Sequence, residues 1–226
     1  MIKAIVTDVE GTVSALSFVR EVLMPSAREH LRHYLLSHVD DTDVATQLEA
    51  LRREEGRALS VEACCDMLER WMDDGRKSTV LKILQRMVWD EAYQQGQLQG
   101  ELYGDAVQNL RAWKAKGIRL FTYSSGSVQA QQLLFRHTPF GDLTSLFSGY
   151  FDTRVGHKRE SSSYEIIASE INERAGDILF LSDSLEELNA ARAAGMQTRW
   201  LVREVDTLDS MAVHPQVRDF DAISLN

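Results

Sequence analysis

The chain opens on a short apolar run, Ile2-Lys3-Ala4-Ile5-Val6-Thr7, whose length and β-branched content predict a buried strand. The pattern then changes. Residues 18–37, 43–56, 60–73 and 79–96 place apolar side chains at helical spacing, with no convincing strand among them. From about residue 105 helix and strand alternate. Asp105 is placed to cap a helix running to Lys116, and Gly117 closes it before a strand over 118–123. Helices are predicted over 127–135, 163–174 and 185–194, the last stopped by Gly195, and strands over 149–152, 177–181 and 198–202. Such alternation predicts an α/β fold, a doubly wound, Rossmann-like parallel sheet. The boundaries follow: an α/β core from residues 1–13 and 101–226, and an inserted all-helical cap over 14–100. An insertion directly after the first strand is expected to overhang the carboxyl edge of the sheet as a lid.

Composition narrows the partners. The 226 residues hold Lys+Arg 25 against Asp+Glu 34, a net charge of -9, and no basic run exceeds a pair such as Arg52-Arg53 or Lys158-Arg159. Nucleic acid is therefore not an expected partner. A phosphorylated small molecule remains compatible, provided a cation neutralises it locally. Cys64 and Cys65 are adjacent, a spacing that seldom meets disulfide geometry, so free thiols and a reducing compartment are expected. The opening apolar stretch is too short for a signal peptide, and nothing approaches the ~20 apolar residues of a membrane span. The expectation is a cytoplasmic protein without membrane contact, and a monomer, since no sustained heptad appears.

Chemistry concentrates at strand ends. Asp8-Val9-Glu10-Gly11-Thr12 follows the first strand, and residues spaced i and i+2 on an extended chain lean the same way, so Asp8 and Glu10 face one site. Gly11 lets the chain turn sharply. Ser124-Ser125-Gly126-Ser127 follows the second strand and offers hydroxyl and N–H donors to a phosphate, although the same residues also make a plain helix cap. Lys158 precedes a helix, where it can balance phosphate and carboxylate charge. Asp183 ends the apolar strand Phe180-Leu181-Ser182, a costly place for an acid unless it is paired or bound to metal, and Glu186-Glu187 follow. Mg²⁺ suits one or two carboxylates plus a substrate phosphate. His30 and His33 read as a wet helix face, His137 and Trp89 carry no assignable role, and the glycine patterns of nucleotide cofactors are absent.

Asp8-Val9-Glu10-Gly11-Thr12, Ser124, Lys158 and Asp183, in that order and each at the end of an α/β element, resemble the four motifs of the haloacid dehalogenase superfamily. Most phosphatases of that superfamily have Asp where this chain has Glu10. Asp-x-Glu-Gly-Thr, together with Ser14-Ala15-Leu16-Ser17-Phe18-Val19, Tyr123-Ser124-Ser125-Gly126-Ser127, Gly149-Tyr150-Phe151-Asp152-Thr153 and Phe180-Leu181-Ser182-Asp183, is similar to its acireductone-forming enolase-phosphatase branch. The similarity runs from Met1 to about Val202; Val13 stands where that branch often has Thr, and Asn189 where Asp is usual. It implies Asp8 as nucleophile and Glu10 as general acid and base. It further implies one Mg²⁺ per subunit on Asp8, Asp183 and the backbone carbonyl or carboxylate of Glu10, with Lys158 and Ser124 on the phosphate oxygens. Ser125, Gly11 and Thr12 are expected beside the substrate, a phosphorylated diketone. Phe18 and Val19 are singled out for its methylthio end. A general phosphomonoesterase or a phosphomutase on the same scaffold is the alternative.

Overall fold

The opening apolar run forms β1 (Ala4–Thr7), buried at every position. The structure is a computed structural model and describes residues 1–203, 208–209 and 211–225. Around β1 assemble β2 (Arg119–Tyr123), β3 (Gly149–Phe151), β4 (Ile178–Ser182), β5 (Gln197–Leu201) and β6 (Gln216–Val217). They make one six-stranded sheet in the order β3-β2-β1-β4-β5-β6, with every pairing parallel. The register aligns Val6 with Phe121 on one side and with Phe180 on the other. From β1 the chain fills one side through β2 and β3, then crosses back to place β4 on the other. The strand order therefore reverses between β1 and β4, which is where an open α/β sheet parts at its carboxyl edge and binds ligands. Asp8 and Asp183 follow those two strands.

Helices α6 (Gly104–Ala115), α7 (Val128–Arg136), α8 (Ser161–Ile171) and α9 (Leu185–Ala193) accompany the sheet. The core includes Val6, Tyr123, Tyr164, Ile167, Phe180 and Leu188. Two expectations need correction. Asp105 does not cap α6; Tyr103 holds the N-cap position without a side-chain bond, and Asp105 lies inside the first turn with its carboxylate committed elsewhere. And α8 stops before residue 174, because Asn172 turns left-handed (φ 57) and gives its N–H back to the helix.

By internal contacts the chain divides into two compact units, Met1–Leu16 with Gly100–Asn226, and Ser17–Gln99. The second is helical: the end of α1 (Leu16–Phe18), a π turn (Val19–Leu23), α2 (Met24–Ser37), α3 (Thr42–Glu55), α4 (Val61–Asp73) and α5 (Thr79–Gln94). It has its own core of Leu31, Leu35, Leu48, Leu68 and Leu84, in which Cys64 and Cys65 are buried free thiols. The single helix expected over 18–37 is interrupted. Met24 gives its N–H to Val19, one residue further back than an α-helix would, and Pro25, with no N–H to give, follows at once. Trp89 acquires a structural task here, donating its indole N–H to the Leu23 carbonyl at 2.8 Å.

Candidate active site

The ladder between β1 and β4 continues one residue past the end of β1, since the Asp8 N–H bonds to Leu181 O at 2.8 Å. This fixes the Asp8 carboxylate at the sheet edge, where the residue is only 4% exposed. Its Oδ1 accepts the Val9 N–H at 2.7 Å. The chain then folds back tightly, with Val9 O accepting the N–H groups of Thr12, Val13 and Ser14. Gly11 sits in this turn at φ +78, and a Cβ on it would lie 2.2 Å from Asp183 Oδ2. No other residue fits there without moving that carboxylate. Asp183 is held by its backbone at both ends: its N–H donates to Thr12 Oγ1 at 3.1 Å, and its C=O accepts the Trp200 indole N–H at 3.0 Å.

Lys158 crosses to this pair from the loop before α8. Its ammonium lies 2.6 Å from Asp8 Oδ1 and 2.8 Å from Glu187 Oε2, over the Tyr123 ring at 5.7 Å. The Tyr164 hydroxyl secures the loop by donating to Lys158 O at 2.7 Å. Burial alone would lower the Lys158 pKa, yet the charges of Asp8 and Glu187 outweigh it and hold the amine protonated well above its usual range. Three neighbouring acids move up instead. Burial first, and the Asp8 charge second, push Asp183 to about 6 and raise Glu10 and Glu187. Glu10 turns its carboxylate to the buried Ser124, whose hydroxyl donates to it at 3.1 Å and accepts the Gly126 N–H at 2.9 Å.

Of the residues singled out from the sequence, the structure gathers Asp8, Gly11, Thr12, Lys158 and Asp183 at one sheet edge, with Glu10 and Ser124 paired beside them. Gly11 and Thr12 stand against Asp183 as its supports, and Ser125 is exposed. Phe18, buried, and Val19, half-buried, lie in the helical unit. Sequence reasoning left Glu187 unassigned beside Glu186. The available signal was its place in the first turn of α9, four residues beyond Asp183, whereas Glu186 is exposed and accepts from the Ser184 hydroxyl. Trp200 gave no signal, because nothing in the pattern of β5 tells which backbone carbonyl its indole reaches. Among the described residues no three His, Cys, Asp or Glu side chains are grouped to hold a metal ion. Asp8 and Asp183 nevertheless bring two carboxylates close enough for one charge to raise the other's pKa, a repulsion that an oxygen-seeking cation relieves.

Comparison with known proteins now decides the family. Residues 2–195 match the haloacid dehalogenase-like hydrolase family. Enolase-phosphatase E1 of Pseudomonas aeruginosa (strain LESB58) is 54% identical over 220 residues, covering 97% of this chain and 96% of that protein. The Serratia proteamaculans (strain 568) enolase-phosphatase E1 is 51% identical over 226 residues, covering 100% and 98%. The chain belongs to the enolase-phosphatase E1 family. The crystal structure of the UTR4 protein from Saccharomyces cerevisiae superposes on it with a TM-score of 0.85 at 30% identity, covering 99% of this chain and 100% of that one. A phosphatase of the same superfamily from Thermococcus onnurineus, at 17% identity and a TM-score of 0.62, shares the fold. The enzyme is thus a phosphatase, and positions 13 and 189 have local accounts. Val13 contributes its C=O, which accepts the Tyr103 N–H at 2.9 Å, so its buried side chain needs no hydroxyl for that contact. Asn189 bonds the buried His214 Nε2 at 2.9 Å, a neutral pairing suited to an imidazole whose pKa burial has lowered.

Proposed function

We propose that this enolase-phosphatase converts 2,3-diketo-5-methylthiopentyl-1-phosphate to acireductone in methionine salvage, enolising it and then removing its phosphate through an aspartyl-phosphate on Asp8. The observation that carries the reading is the Lys158 ammonium seated between Asp8 and Glu187, with Asp183 beside Asp8. An Asp8 oxygen attacks phosphorus, the ester P–O bond breaks, and the departing enol oxygen takes a proton from Glu10. Glu10 suits that task, since burial keeps its carboxyl protonated to higher pH than an ordinary glutamate. Deprotonated by this transfer, Glu10 then takes a proton from the water that hydrolyses the acyl phosphate, releasing inorganic phosphate and restoring Asp8. Lys158 and the hydroxyls of Ser124 and Ser125 balance the charge on the phosphoryl oxygens.

Mg²⁺ completes the reading as cofactor, and the donor set fits it: Asp8, Asp183 and the backbone carbonyl of Glu10, the carboxylate of Glu10 being engaged by Ser124. Bound there, it supplies the positive charge that lets an anionic nucleophile approach an anionic phosphate. Phe18 and Val19 are the proposed contacts for the methylthio group. The reading includes action as a cytoplasmic monomer; among the described residues no helix is long and apolar enough to cross a membrane. Incubation with the diketone phosphate, following ultraviolet enol absorbance and phosphate release together, tests it. Asp8→Asn is expected to cut phosphate release by at least about 1,000-fold, as removal of a covalent nucleophile does. In the enolisation, the ionised form of Glu10 is the proposed carrier that takes a proton from C1 and returns it to the C2 oxygen, so Glu10→Gln is expected to slow enol formation as well. Phosphate release surviving in Asp8→Asn overturns the covalent step, unchanged enol formation in Glu10→Gln excludes Glu10 as the enolisation base, and phosphate release without any enol signal leaves a general phosphomonoesterase.

A further inference from the structure

Behind the catalytic loop stands an arginine for which the proposed chemistry has no use. Arg203, just past β5, is only 11% exposed at its side chain, and each of its three guanidinium nitrogens donates a hydrogen bond. Nε and Nη2 both donate to the Thr12 carbonyl, at 3.1 and 2.8 Å, while Nη1 and Nη2 take the two oxygens of Asp105 at 3.2 and 3.1 Å. The plane stacks on Tyr103 at 3.7 Å, with Phe220 at 5.6 Å. Asp105 in turn accepts the Phe220 N–H at 2.8 Å, and the Tyr103 N–H reaches Val13 O at 2.9 Å. This cluster ties Thr12 and Val13, a few residues before the chain leaves the α/β unit, to Tyr103 and Asp105, a few residues after it re-enters. A buried guanidinium is costly unless it is paired and hydrogen-bonded, and its planar fork fixes direction as well as distance.

Thr12 is the link to the chemistry. The residue whose C=O Arg203 holds is the same one whose Oγ1 accepts the Asp183 N–H, so a displacement of Thr12 moves the backbone of Asp183. Gly11, immediately before it, is already in contact with the Asp183 carboxylate, which leaves no slack. We propose that Arg203 is a positioning residue: through Thr12 it sets the separation of Asp8 and Asp183, and with it the affinity of that carboxylate pair for a divalent cation. The cation arm rests on the magnesium reading above; the arm through the Asp183 amide does not.

Arg203→Lys keeps the charge and much of the stem but loses the fork, and Thr12→Val keeps the loop's bulk but removes Oγ1. Calorimetric titration of Mg²⁺ into the full-length protein is expected to show Arg203→Lys weakening binding about tenfold, equivalent to ~1.4 kcal/mol. In a Thr12→Val background the same replacement is expected to change binding by less than about threefold, the non-additivity of two residues in one path. Hydrogen exchange at the Asp183 amide is expected to quicken in Arg203→Lys, while amides of β2 stay at wild-type rates. A wild-type Mg²⁺ affinity together with wild-type Asp183 exchange in Arg203→Lys overturns the proposal, as does a tenfold loss that persists in full without Oγ1. A wild-type protein that binds no Mg²⁺ overturns the cofactor reading instead, and leaves the exchange measurement to judge Arg203. Should Arg203→Lys fail to fold, Asp105→Asn loosens the same clasp from its other side and is held to the same outcomes.

Discussion

Lys158 shows how much a single residue's surroundings decide. An ammonium between Asp8 and Glu187 is over-compensated: two carboxylates within 2.6 and 2.8 Å share one positive charge in a nearly dry setting. Asp8 also has the Val9 N–H, whereas among the described residues Glu187 has Lys158 and the Ser182 hydroxyl, the latter at 3.0 Å. Glu187→Gln therefore leaves Lys158 with Asp8 as its one anionic partner and removes a buried charge that burial already disfavours. Activity is expected to fall roughly 10- to 100-fold, the usual cost of losing a support to a catalytic group, while the melting temperature holds or rises. Steady-state hydrolysis and calorimetric melting of the same preparation check both halves. Asp8 and Asp183 were legible because an acid that ends an apolar strand needs a partner. Glu187 was not, because Glu186 beside it has the same side chain, and only the phase of α9 tells which of the two turns inward.

Among elements, strands and long helices follow the apolar periodicity to within a residue or two, as for β5, β4 and α9. What escaped is decided by single groups that periodicity ignores: Asn172 ending α8, Pro25 after the π turn, and β6, two residues long and paired to β5. Asp152 is another such case. It lies just past β3, and its carboxylate accepts the first N–H of α7, from Val128, at 3.2 Å, and the Arg154 N–H at 3.0 Å. Burial pushes its pKa up, but the bonds from Arg154 and Val128 prevail and hold it below the usual carboxylate range. A carboxylate depressed on folding contributes stability above its unfolded pKa of about 3.9 and loses it as pH falls through the folded value. Asp152→Asn is expected to cost roughly 1–2 kcal/mol at pH 7, from weakened charge-assisted bonds, and progressively less below about pH 4. Denaturant unfolding of both proteins at pH 7 and pH 3.5 tests this, and an equal difference at both values would point to packing instead.

Among the described residues, the carboxylates displaced from their usual range divide by sign. Arg174 holds the buried Asp177 below its usual range, and on the surface the Thr144 hydroxyl does so for Asp142 and Arg28 for Asp73. At the carboxyl edge of the sheet, Glu10, Asp183 and Glu187 are all raised, by burial first and Asp8 second. An acid raised on folding binds its proton more tightly in the native state than in the unfolded chain, so stability declines as pH rises across the interval between the two pKa values. For Asp183 that interval runs from 3.8 to about 6. Glu10 and Glu187 add losses of the same sign. The depressed group acts oppositely, its contribution vanishing as pH falls below about 4. The metal-free enzyme is thus expected to be most stable near pH 4 and to weaken from there toward pH 7, as the edge acids ionise against one another. A divalent cation offsets that repulsion only where the acids are ionised, so its stabilisation, about 2.7 kcal/mol at a hundredfold excess over its dissociation constant, belongs to neutral pH and shrinks as protons compete at pH 5. Melting temperatures with and without Mg²⁺ at pH 5, 6 and 7.5 measure both trends. A metal-free melting temperature that climbs steadily from pH 5 to 7.5 contradicts the clustering of raised acids, whereas a magnesium increment that is the same at every pH places the cation away from Asp8 and Asp183.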